Sequence, residues 1–137
     1  MAYAETTKVP VERTRAEIER TLKRYGADRF VYFGEDQRAI IVFEAHQRRI
    51  RFDLPLPGEK IDKNGRLTRQ KWRALGLCIK AKLEAVDSKI ETFEEAFLAH
   101  VVMPDGKTVA EHTALTIEKA YSGGTMVPLL PAPEKIA

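Results

Sequence analysis

Residues 29–54 limit the fold more than any other part of the chain. Three runs rich in β-branched and aromatic residues, at 30–33, 39–43 and 49–54, are separated by short polar stretches, with turns at Gly34-Glu35-Asp36-Gln37 and Ala45-His46-Gln47. Connections this short join antiparallel neighbours, because a parallel crossover needs a dozen or more residues. The segment therefore reads as a three-stranded antiparallel meander. In its last run Ile50, Phe52 and Leu54 alternate with Arg49, Arg51 and Asp53, the two-residue period of a sheet with one dry and one wet face. Helices from the rest of the chain are needed to cover the dry face.

Those helices are marked by spacing and caps. Thr14-Arg15-Ala16-Glu17 has capping-box spacing, Ile18, Leu22 and Tyr25 recur at helical intervals, and Gly26 supplies a stop, which predicts a helix over about 14–25. Val9-Pro10-Val11 ahead of it reads as extended or as a first turn. Pro55-Leu56-Pro57-Gly58 and the polar residues up to Gly65 read as a loop. From 68 to 86, Trp72, Leu75, Ile79, Leu83 and Val86 form one helical stripe, while Ala74, Leu77, Cys78, Ala81 and Ala85 form a second on nearly the opposite side. A helix apolar on two sides is expected to lie sandwiched between the sheet and the C-terminal helices. Capping-box spacing at Thr92-Glu95 and Thr108-Glu111 predicts two more helices, over about 92–102 and 108–121, with Pro104-Asp105-Gly106 turning between them. The expected fold is α+β: an N-terminal helix, the meander, then three helices packed on one face. It occupies one domain over 1–126, and residues 127–137, with Pro128, Pro131 and Pro133, form an extended tail on which Leu129 and Leu130 are candidates for docking.

With 44% hydrophobic and 31% charged residues the chain has enough apolar surface for a core. Its single cysteine, Cys78, cannot make an intramolecular disulfide, and on the small-residue side of the long helix it is expected to be buried and inert. A polar N-terminus and the lack of a long apolar run point to a cytoplasmic protein without a membrane span. No Walker loop, dinucleotide fingerprint, nucleophile elbow or paired-cysteine spacing is present, so no cofactor, metal or catalytic residue is assigned and an enzyme is the least supported class. His46, His100 and His112 fall in separate elements. Trp72 lies in the main apolar stripe and reads as a core anchor rather than a base-stacking platform.

What remains is positive charge. Between Lys60 and Lys82 there are eight Lys or Arg residues against one acid, Asp62, whereas residues 91–137 carry three basic and seven acidic side chains. On the long helix Arg69, Arg73 and Lys80 share one edge, with Lys71 and Lys82 on the other, and Arg49 and Arg51 leave one face of the third strand. Guanidinium and ammonium groups in a row displace counterions from phosphates. The candidate nucleic-acid-binding set is therefore Arg49, Arg51, Arg66, Arg69, Lys71, Arg73 and Lys80. The competing reading is a solvated edge whose long stems cover the core.

The segments 9–19 and 73–84, with Phe93-Glu94-Glu95 and 104–108, resemble a set of small proteins from phage and prophage regions that have no established activity. The resemblance spans most of the chain. It implies a genomic context, compatible with support of DNA transactions or with inhibition of a host protein, and it implies no catalytic residue. Two functional expectations follow. The first is a non-enzymatic nucleic-acid-binding accessory protein using the basic edge of the long helix and the third strand; the alternative is a protein-interaction module, binding a phage or host factor through the C-terminal helices and tail.

Overall fold

A computed structural model of the chain describes residues 9–124, 126 and 128–130. The expected tail, 127–137, lies largely outside the described residues, although Leu129 and Leu130 are described and are exposed rather than docked. The first helix, α1 (Val11–Arg24), begins three residues before Thr14. Pro10 opens it: its carbonyl accepts from the N–H groups of Arg13 and Thr14 at 3.1 and 3.2 Å. Proline has φ preset near the helical value and no N–H of its own to leave unpaired. Thr14, with the sequence pattern of a cap, is consequently inside the helix and only 1% exposed.

Strands β1 (Asp28–Glu35), β2 (Arg38–Ala45) and β3 (Arg48–Pro55) form one antiparallel sheet in the order β1-β2-β3. The β2–β3 turn is only His46-Gln47, both with positive φ (51° and 62°), the backbone that matches the twist of a two-residue hairpin. Ile41, Phe43, Ile50, Phe52 and Leu54 line the dry face. Phe97 meets Phe43 and Phe52 edge-on, with ring centroids 6.1 and 6.3 Å apart.

The long helix, α2 (Arg66–Asp87), packs on this face and beside α1, burying Trp72, Leu75, Gly76, Ile79 and Leu83. Its start is fixed by Asp62, whose carboxylate accepts from the Leu67 and Thr68 N–H groups at 3.0 and 2.8 Å. The second stripe of α2 is not covered. Ala74, Cys78 and Ala81 are exposed, and Leu77 and Ala85 are half-buried, so Cys78 is not the buried thiol the pattern suggested. The reason lies in the chain's route after α2. Helix α3 (Phe93–Phe97) is only one turn and a half, followed by a 3₁₀ turn at Leu98–His100. Val101 and Val102 then leave the helical path and add to the edge of β3, Val102 N–H donating to the Arg49 carbonyl at 2.8 Å. The last helix, α4 (Val109–Gly123), is thereby carried to the β3 side, against the 3₁₀ turn and not across α2. Of the three expected capping boxes, Thr92–Glu95 and Thr108–Glu111 are formed and Thr14–Glu17 is not. The architecture is α+β, with the helix, meander and following helices in the expected order.

Candidate nucleic-acid interface

Helices α1 and α2 lie side by side, and they approach closely at Gly76, where an added Cβ would sit 3.6 Å from Ile18 and 3.8 Å from Thr14. Across this seam Arg73 donates from Nη1 to Glu17 Oε2 at 3.1 Å. That contact identifies the edge of each helix that faces the other. Arg13, Arg20 and Arg24 stand four residues before and three and seven after Glu17, so they share its stripe, and all three are exposed. Arg66, Arg69 and Lys80 stand seven and four before and seven after Arg73. Two cationic rows therefore border one seam. Along each axis successive members are separated by about 5 to 10 Å, from the 1.5 Å rise per residue. Glu17 is the acid between them, while Glu84 and Asp87 close the α2 row at its C-terminal end.

The members of these rows are not equally free. Arg73 is held by Glu17, and Arg69 turns back to donate from Nη1 to the Asn64 carbonyl at 2.9 Å. Arg13, Arg20, Arg24, Arg66 and Lys80 make no ion pair among the described residues. The α1 arginines were missed by sequence reasoning because Glu12, Glu17 and Glu19 interleave with them and dilute the local charge. Sorting residues 13, 17, 20 and 24 onto one helical stripe is the signal that finds them.

The other expected members do not converge here. Ile50, Phe52 and Leu54 face the α2 side of the sheet, so Arg49 and Arg51 emerge on the opposite side. They are also engaged. Arg49 pairs with Glu44 at 3.2 Å, and Arg51, whose side chain is 19% exposed, pairs with Glu111 and donates to the Gly106 carbonyl at 2.8 Å. Lys71 lies on the far edge of α2, near Pro55, Leu56 and Pro57, and Lys82 donates to the Ala96 carbonyl at 3.0 Å. The outer sheet face around exposed Val31 and Phe33 is bordered by paired charges, Arg38–Asp53 and Arg49–Glu44 among them.

The histidines sit in structural contacts. His46 stacks on Phe93 at 4.5 Å and His112 Nε2 meets Asp105 Oδ2 at 2.8 Å. His100 stacks on Phe52 at 4.0 Å, and burial, followed by nearby Lys82, lowers its pKa from the usual 6.5. Among the described residues no group of three His, Cys, Asp or Glu side chains is placed to hold a metal, and no helix is long and apolar enough to cross a membrane. Comparison with protein-family models, with curated proteins and with solved structures finds no match for this chain.

Proposed function

We propose that the protein is a nucleic-acid-binding accessory protein that holds the sugar-phosphate backbone along the seam between α1 and α2. The observation that carries this reading is the pair of rows flanking the seam on its solvent side, Arg13, Arg20 and Arg24 on one helix and Arg66, Arg69, Arg73 and Lys80 on the other, with Glu17 as the acid between. Cations on two rigid helices track consecutive phosphates and release their condensed counterions, which is a sequence-independent source of affinity. No aromatic side chain belongs to either row, and Trp72 is only 5% exposed, so base stacking is not part of this mechanism. A weak preference for sequence follows, since phosphate contacts position a chain without reading it. The resemblance to phage and prophage proteins fits a role in DNA transactions and belongs to the same proposal.

The test is fluorescence anisotropy on a labelled oligonucleotide at low salt. Charge reversal of Arg20 and Lys80 to Glu is expected to weaken binding at least tenfold. Reversal of Lys107 and Lys119, outside the seam, is expected to change it less than twofold. No binding by the wild-type protein to single- or double-stranded DNA or RNA, or equal losses in both variants, would reject the seam as the site. The alternative, a protein-interaction module, is favoured by a different observation: α4 buries only Thr113 while Leu115, Ile117 and Tyr121 are exposed.

A further inference from the structure

A 15-residue helix has little stability of its own in water, and most helices owe their persistence to burying one face. Helix α4 has 15 residues, and Thr113 is the one it buries. Ala110, Ala114, Ile117 and Tyr121, spaced at i, i+4, i+7 and i+11, form an apolar stripe that is open to solvent, Tyr121 being 88% exposed. Helix α2 has the matching deficiency. Ala74, Cys78, Ala81 and Ala85 have the same spacing on its outer side, and among the described residues Ala74, Cys78 and Ala81 are left exposed while Ala85 is half-buried.

The two stripes complement one another. The large side chains, Ile117 and Tyr121, are on α4, and the α2 stripe offers only small ones, which is the size relation that lets two helices approach closely. Charge at the borders of the stripes agrees with size. Exposed Lys71 borders the α2 stripe and exposed Glu118 the α4 stripe. Within one chain the two cannot meet, because the root of α4 is fixed on the β3 side. Arg51 holds both Gly106 and Glu111 there, and Val109 N–H donates to the Val101 carbonyl at 3.0 Å.

We infer that the protein pairs with a second copy of itself, the α4 stripe of each copy docking on the outer α2 stripe of the other. The exchange is isologous, so one complementary pair of surfaces makes two contacts and the assembly closes at two chains. That doubling bears on size, because a stable interface removes about 800 Å² from each partner, more than one short helix face offers. This inference is independent of the nucleic-acid reading, since it uses the outer side of α2 and not the edge that faces α1.

Sedimentation equilibrium at micromolar concentration tests it, together with the rate at which a maleimide labels Cys78. The expected particle has twice the 15.5 kDa of one chain. Ala81→Arg and Tyr121→Asp, both at exposed positions, are each expected to return it to a monomer with an unchanged circular dichroism spectrum. Cys78 is expected to react at least tenfold more slowly in concentrated than in dilute wild-type protein. A monomer up to hundreds of micromolar overturns the inference, as does a dimer that both variants retain. If either variant fails to fold, the wild-type labelling decides: a rate that does not depend on protein concentration also overturns it.

Discussion

Trp72 is 5% exposed in the core that α2 shares with the sheet, so its removal leaves a large cavity. Trp72→Ala is expected to cost about 3–5 kcal/mol, measured by urea unfolding; a loss under 1 kcal/mol would mean that the indole is not a core anchor. Gln47 has the opposite character. With φ at 62° it occupies the left-handed region, where a Cβ costs about 1 kcal/mol or more. Gln47→Gly is expected to stabilise by about 0.5–1 kcal/mol, whereas His46 must stay because its ring stacks on Phe93. At this scale periodicity alone identified Trp72, Leu75, Ile79 and Leu83 as core. Cys78 and Thr14 were misread for different reasons. An apolar stripe states that a residue suits burial, not that a neighbour arrives to cover it. A capping pattern at Thr14 competes with Pro10, which opens the helix one turn earlier.

The helix starts make stability depend on acid. Backbone N–H donors of Thr92 and Thr108 hold Glu95 and Glu111 below the usual 4.5, that of Lys107 holds Asp105 below 3.8, and Asp62, although burial pushes it up, is kept low by Leu67 and Thr68. Carboxylates with lowered pKa contribute stability above their unfolded values and lose it as pH falls through the folded ones. His100 acts earlier. Its neutral form is favoured in the fold, so between 6.5 and its lowered pKa the unfolded chain binds the extra proton and stability falls as pH falls. Thermal unfolding is therefore expected to show Tm declining in two stages, the first starting near pH 6.5 and the second below about pH 4.5. His100→Phe is expected to remove the first stage alone; a first stage that survives in this variant would assign it elsewhere. The boxes at Thr92 and Thr108 were legible because a cap and its carboxylate are three residues apart in sequence. The shortness of α3 was not, since what ends it is the pairing of Val101 and Val102 with β3, a contact between residues about fifty positions apart.

For the molecule as a whole, the meander and the order of elements could be read from short turns and period-2 runs. The composition of the basic site could be read only in part. Arg66, Arg69, Arg73 and Lys80 fall together because one helix carries them, but Arg49 and Arg51 are divided from them by the sheet itself, and the arginines that border the seam come from α1. Which helix lies beside which is a tertiary fact that charge counting along the chain does not contain. The central claim is that the α1–α2 seam meets phosphates, and the salt dependence of binding to an unstructured single strand tests it most directly. Each neutralised phosphate contributes about −0.7 to the slope of log affinity against log salt. With Arg13, Arg20, Arg24, Arg66 and Lys80 in contact the expected slope is roughly −3 to −4, falling to about −2 in the Arg20→Glu, Lys80→Glu variant. A wild-type slope near zero, or one that this variant leaves unchanged, would contradict the account.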